Sequence, residues 1–342
     1  MNKNTGKLLL GWDTQDITPD KPAELVGQYY QRISKRVRDP LSVTALALEQ
    51  RTAAGTAQAV MVSVDIVGVT RDFQEEVREQ VRGQAPGLDP KMVFLNATHI
   101  HSGAAYFAPF RWWKPAAGAL PPEEIRRFQR DRIARAVVGA WNARKPAGIS
   151  DARSYAAVGY CRRTTHADGR AVMYGEPDQK DFIGMEAGND HAVQMLFTWD
   201  AKAKLTGVVV NVPCPSQVLE SQYVLSADFF GELRARIRKT YGRHVHVLAQ
   251  VSAAGDQSPR DLPAQKRDKC NFWDESGVLA IGQRLEQAVA EGYASARASI
   301  QHSPVLKHTV ADIALPLRRA GKREYQAARA EVKRLTAGYP DM

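Results

Sequence analysis

Two histidines two residues apart, His99 and His101, close the stretch "NATHIHSG", directly after the apolar run "KMVFL". Side chains two apart on a strand share a face, so both can face one cavity if the strand persists to residue 101. Neutral imidazole is a good zinc ligand, and histidine also moves protons near neutral pH. The competing reading is a pair of hydrogen-bonded residues that merely end a strand. A second His-x-His, His244 and His246 in "HVHVL", serves as an internal control. It starts its run, about ten residues before Asp256, which at ~3.3 Å per residue puts it some 20 Å from the far end. We read that pair as structural, so the spacing alone does not identify a site.

Other residues could meet the first pair. Cys214 stands between Pro213 and Pro215 in "NVPCPSQ", and two prolines fix the backbone that presents it. A thiolate binds zinc at about 2.3 Å, whereas a lone buried cysteine otherwise behaves as a small hydrophobe. In "AAGDQSPRD", Gly255 allows a tight turn and Asp256 can orient a histidine. Ser258 suits a nucleophile or an oxyanion donor, and an ordinary Asp-x-Ser turn is the plainer reading. Arg162 and Arg163 in "GYCRRTTHADG" could clamp a carbonyl or carboxylate, or form a solvated pair.

Positioning these groups requires strands. Strand-like runs fall at 45–51, 58–69, 92–98, 192–199, 205–213 and 244–252. They alternate with helix-like runs at 71–83, 122–144, 227–240, 276–299 and 321–336. The helix at 122–144 carries Ile125, Phe128, Ile133, Val137, Ala140 and Trp141 as one stripe, and Pro121, Pro122, Glu123 and Glu124 suit its start. This pattern predicts an α/β fold, a mixed β-sheet core layered with helices. Three strands run into the polar loops after residues 98, 213 and 252, and in α/β sheets ligands bind outside strand carboxyl ends. We therefore expect these loops to line one site.

The 342 residues carry no internal repeat or low-complexity linker, and length alone favours one large or two modest domains, of which a single large domain over 1–342 is the expectation. No run of about 18 apolar residues exists to span a membrane. The N-terminal "MNKNTGKLLLGWDTQD" has only a three-leucine patch, too short for a signal-peptide core. The net charge of +10 is spread through arginine-rich helices. No basic stripe or recognition motif points to nucleic acid, and a transient contact with an anionic membrane surface is the remaining electrostatic expectation. Cys161, Cys214 and Cys270 are odd in number and widely spaced, which fits neither a disulfide framework nor a CxxC site.

Together these segments resemble the N-terminal catalytic domain of the neutral (alkaline, non-lysosomal) ceramidase family. The resemblance begins at "GWDTQDITPD" and continues through "RDPLSVTALALE" and "VMVSVDIVGV". It is sharpest at "NATHIHSG", and continues in "GYCRRTTHADGRAVMYG", "VVVNVPCPSQ" with "LSADFFGELRARI", and "AAGDQSPR". It implies His99 as a zinc ligand, His101 as its neighbour acting on substrate, and Arg162 as a substrate-polarising arginine. Ser258, with Asp256 beside it, would be the serine of the active-site loop. The family's His-Pro is replaced by Cys214-Pro215, so Cys214 is expected as the second zinc ligand, its sulfur within ~4 Å of the nearest His99 nitrogen. The resemblance also implies a glutamate and a tyrosine ligand from later in the chain, and we expect "KRLTAGYPDM" to fall before them.

The expected function is zinc-dependent hydrolysis of an N-acyl amide in a small lipid substrate, as in ceramide. The loop "YFAPFRWW" (106–113) would give an apolar wall for the acyl chain, or simply pack. Two other readings stand beside it: hydrolysis of another small amide or ester, and a catalytically silent binding protein.

Overall fold

The computed structural model describes residues 6–53, 55–108, 116–268 and 272–337. Strands β1 (Leu8–Asp16), β2 (Ser42–Thr52), β3 (Gly55–Val64), β4 (Val93–Ala97), β5 (Lys145–Tyr155), β6 (Ala192–Asp200), β7 (Leu205–Val212) and β8 (His246–Val251) form one sheet. Their order is β8-β7-β6-β5-β1-β2-β3-β4. β3 runs parallel to β4 and β7 to β8, and every other neighbouring pair is antiparallel.

The sheet has a seam. β1 meets β5 only through Leu9 with Pro146 and Leu10 with Lys145, whereas β1 and β2 pair along the whole of β1. Pro146 offers no N–H to extend the ladder. About this seam the two halves fold face to face, and Leu8, Leu10, Leu46, Leu48, Val209 and Leu248 pack between them. The outer face of β2–β4 is covered by α1 (Arg71–Val81) and α2 (Pro122–Asn142). That of β6–β8 is covered by α3 (Asp228–Tyr241) and α4 (Asp274–Ala298). Two sheet layers thus lie between two helix layers.

Strand alternation explains this directly. In β2, Val43, Ala45 and Ala47 face the helices, while Leu46 and Leu48 face the other half-sheet. With both faces buried, such strands read as continuous apolar runs. The expected α/β class is observed. The run at 58–69 stops at Val64 as a strand, where buried Asp65 turns the chain. β1 and β5 were not among the expected strands: "LLLGWDTQD" and "KPAGISDARSY" carry too many polar, Gly and Pro residues to read as strands. The last helix, α5 (Lys322–Thr336), forms as expected with no buried residue. No described helix is long and apolar enough to cross a membrane.

Candidate active site

The loops after β4 and β7 meet through the His101 amide, which donates to the Ser216 carbonyl at 3.2 Å. Asp65, the residue after β3, anchors the approach. It is fully buried and accepts from Thr98 Oγ1 at 3.0 Å and from the Ser42 amide at 2.8 Å. Arg234 of α3 grips both its carboxylate oxygens at 2.6 and 3.0 Å, tying the two half-sheets together beneath the site.

His99 is reached differently from the sequence reading. The strand ends at Ala97, and His99 has a φ of 56°, in the left-handed region. The pleat therefore does not carry the pair to one face; the turn does. The two rings lie 5.3 Å apart, centroid to centroid, and both line a cavity of about 720 Å³. Crowding by the cavity walls, then the charges of His101 and Arg162, pushes the His99 pKa from the ordinary 6.5 down to about 4. This leaves a neutral imidazole open to the cavity.

His101 is held on every side. Nδ1 lies 2.8 Å from Glu220 Oε2, and Nε2 lies 2.9 Å from Gln217 Nε2. A carboxylate can only accept, so Nδ1 carries the proton and Nε2 offers a lone pair to the Gln217 amide. Gln217 Oε1 is buried without a partner among the described residues. Glu220 is only 8% exposed and also sits 3.6 Å from Arg260. Below, fully buried Arg32 donates to the carbonyls of His101 (2.6 Å), Val26 (2.8 Å) and Gln222 (2.8 Å). Gly27, at φ 102°, packs so closely that a Cβ would fall 2.3 Å from His101 Cγ.

Arg162 enters from the opposite wall. Its amide donates to the Asp256 carbonyl at 2.9 Å and its Nη2 to the Gly255 carbonyl at 2.7 Å, so the "AAGDQSP" loop holds it. Its guanidinium carbon and that of Arg260 lie 5.7 and 5.5 Å from the centroid of one ring, Tyr174. Val26, Val67, Phe107, Met173, Tyr29 and Tyr30 complete the lining with mostly apolar surface.

His99, His101 and Arg162 are therefore brought together, whereas the other expected residues stand back. Asp256 serves through its carbonyl. Ser258 is 0% exposed, paired with Tyr160 in a short ladder, and its Oγ accepts from the Arg260 amide at 3.2 Å. Cys214 is also 0% exposed and does not line the cavity; its Sγ donates to the Val158 carbonyl at 3.1 Å inside the core beneath α3 and α4. Burial holds its thiol well above the usual range. Among the described residues no three His, Cys, Asp or Glu side chains converge to hold a metal. With Cys214 turned into the core and His101 Nδ1 bonded to Glu220, the expected pair His99 and Cys214 does not fit a zinc site.

The control pair lies elsewhere. His244 and His246 line a separate cavity at the seam, where His246 stacks on Trp12 and bonds Thr14. Cys161 is buried and free; Cys270 lies outside the described residues, as does most of the 106–113 loop. Of that loop, Phe107 reaches the cavity while Tyr106 packs on Phe73. Sequence reasoning missed Glu220, Gln217, Arg260 and Arg32. The available signal was the acid in "PSQVLES", the one charge in a stretch that the structure buries up to Glu220.

No protein-family model and no curated protein matches the sequence. Solved structures do match in shape. A ceramidase complexed with C2 aligns with a TM-score of 0.66 at 19% identity, over 86% of this chain and 45% of that one. The neutral ceramidase from Pseudomonas aeruginosa aligns with a TM-score of 0.64 at 19% identity, over 86% and 46%. The fold is that of the neutral ceramidases. The chain spans less than half the length of those proteins. The shared fold agrees with the resemblance seen in "NATHIHSG" and "AAGDQSPR".

Proposed function

We propose that this cavity hydrolyses an N-acyl amide bond in a lipid-like substrate, with His101 as general base and acid. The supporting observation is the His101 imidazole, bonded to a nearly buried carboxylate and facing the same cavity as Arg162. Glu220 fixes the tautomer and stabilises the imidazolium that forms when Nε2 takes a proton, as a carboxylate does for histidine in hydrolytic triads. An incoming water takes the place of the Gln217 amide on Nε2 and itself accepts from that amide. Arg162, fixed by Gly255, faces the substrate carbonyl and stabilises the oxyanion. When the tetrahedral intermediate collapses, His101 returns the proton to the leaving nitrogen.

Phe107, Val26 and Val67 give the acyl chain an apolar wall, and the exposed Tyr29 and Tyr30 stand at the same cavity. Ser258, buried under the loop, braces the turn that carries Arg260. The test is release of free fatty acid from N-acyl substrates by purified protein, compared with His101→Ala. Absence of any such release would overturn the proposal.

A further inference from the structure

We infer that Arg260 binds an anionic group of the substrate, so that the site takes an N-acyl amino acid in preference to a neutral N-acyl lipid. This inference rests on the amide-hydrolase reading above and names its substrate class. The Arg260 guanidinium lies over Trp273, with its central carbon 3.7 Å from the ring centroid. Its side chain donates no hydrogen bond to a described residue. Its nearest acid, Glu220, approaches only to 3.6 Å and gives its other oxygen to His101. A stacked guanidinium has its face covered and its five N–H donors directed outward along the edge. That fork matches the two oxygens of a carboxylate.

The charges around the cavity point the same way. Its lining carries Arg162 and Arg260 against the single acid Glu220. Arg32, just below, is bonded to three backbone carbonyls. A positively charged cleft with low-dielectric walls attracts anions. A neutral headgroup would leave the Arg260 fork unpaired, the situation in which polar sites discriminate most strongly. Glu220 beside it favours a planar monoanion over a doubly charged phosphate. Because Arg162 and Arg260 flank one ring, Tyr174, the polarised carbonyl and the anion sit as neighbours, as in an acylated amino acid.

The experiment compares N-dodecanoylglycine with N-dodecanoylglycinamide, which differ in charge and hardly in size. Dodecanoate release is measured for the wild-type chain, Arg260→Gln and Arg260→Lys, each confirmed folded by thermal melting. Binding of the non-hydrolysable dodecanesulfonyl-glycine and its amide is measured in parallel by calorimetry. The wild type should favour the carboxylate by about 100-fold in kcat/KM, the order lost when one partner of a charged hydrogen-bonded pair is missing. Arg260→Gln should erase that preference, lowering turnover of the glycine compound far more than that of the glycinamide, with Arg260→Lys between. Equal handling of both compounds by the wild type, or an equal loss on both in Arg260→Gln, would overturn the inference and leave the hydrolase reading intact. Selective binding of the anionic sulfonamide without hydrolysis of either amide would overturn the hydrolase reading and support the anion site. Failure to bind either sulfonamide would overturn the anion site.

Discussion

The Nδ1 of His101 lies 2.8 Å from Oε2 of Glu220, across 119 positions of sequence. This contact joins the loop after β4 to the segment after β7 and fixes the orientation of the His101 ring. Neither residue would be positioned without the sheet folding about its seam.

Gly27→Ala tests how tightly that orientation is held. An added Cβ would meet His101 Cγ at 2.3 Å, and the φ of 102° already disfavours any L side chain. The ring must tilt off Glu220, and a small misplacement of a catalytic group costs about 100-fold in rate. We expect that loss in kcat, with the variant still folded by circular dichroism. Unchanged kcat would show that the ring position is not critical.

Arg32→Met removes the cation bonded to the carbonyls of Val26, His101 and Gln222. Three buried acceptors then lose their partner, at about 1–3 kcal/mol each for an unsatisfied group. Urea unfolding should show a loss of roughly 3 kcal/mol or more. A loss below about 1 kcal/mol would mean that water replaces the guanidinium freely.

Cys214→Ala separates a core role from a metal role. The thiol is fully buried against Val158, so its truncation should cost about 1–2 kcal/mol in stability through the small cavity left behind. Zinc content measured by mass spectrometry should be the same as in wild type. A zinc content that falls with this substitution would return Cys214 to the site.

Acid should weaken the fold between about pH 6.5 and pH 4. Burial, then Arg238 and His244, holds His246 near 4, and His99 is held near 4 by its own surroundings. Unfolding restores the ordinary 6.5, so in this window the unfolded chain binds more protons than the folded one. The stability tied to these neutral rings is complete above pH 6.5 and lost as pH falls through 4. Imidazole titration by NMR should place both midpoints near 4. Midpoints close to 6.5 would show that the surroundings of these rings do not disfavour their charged forms.

The layered fold was largely legible in the sequence because strands buried on both faces produce apolar runs such as "VMVSVDIV", and α2 displays a clear stripe. β1 and β5 were not, since a central strand at a seam tolerates the polar residues of "LLLGWDTQD" and "KPAGISDARSY". At the site, His99 and His101 stand out because polar residues follow an apolar run, whereas Arg162 is singled out only as one of an arginine pair and by the family resemblance. Glu220 and Arg260 could not be found, because their role depends on long-range approaches that no local spacing encodes. Cys214 misled for the same reason. Its flanking prolines implied rigid presentation but not direction, and the thiol turns into the core.

The most direct test of the account is the rate of fatty acid release from an N-acyl amide by Glu220→Gln. Glutamine preserves the shape of Glu220 and removes the charge that stabilises the His101 imidazolium. The account predicts measurable turnover by the wild-type chain and a fall in kcat of about 100- to 10,000-fold in the variant. It also predicts that the variant binds dodecanesulfonyl-glycine. Turnover undiminished in Glu220→Gln would contradict it.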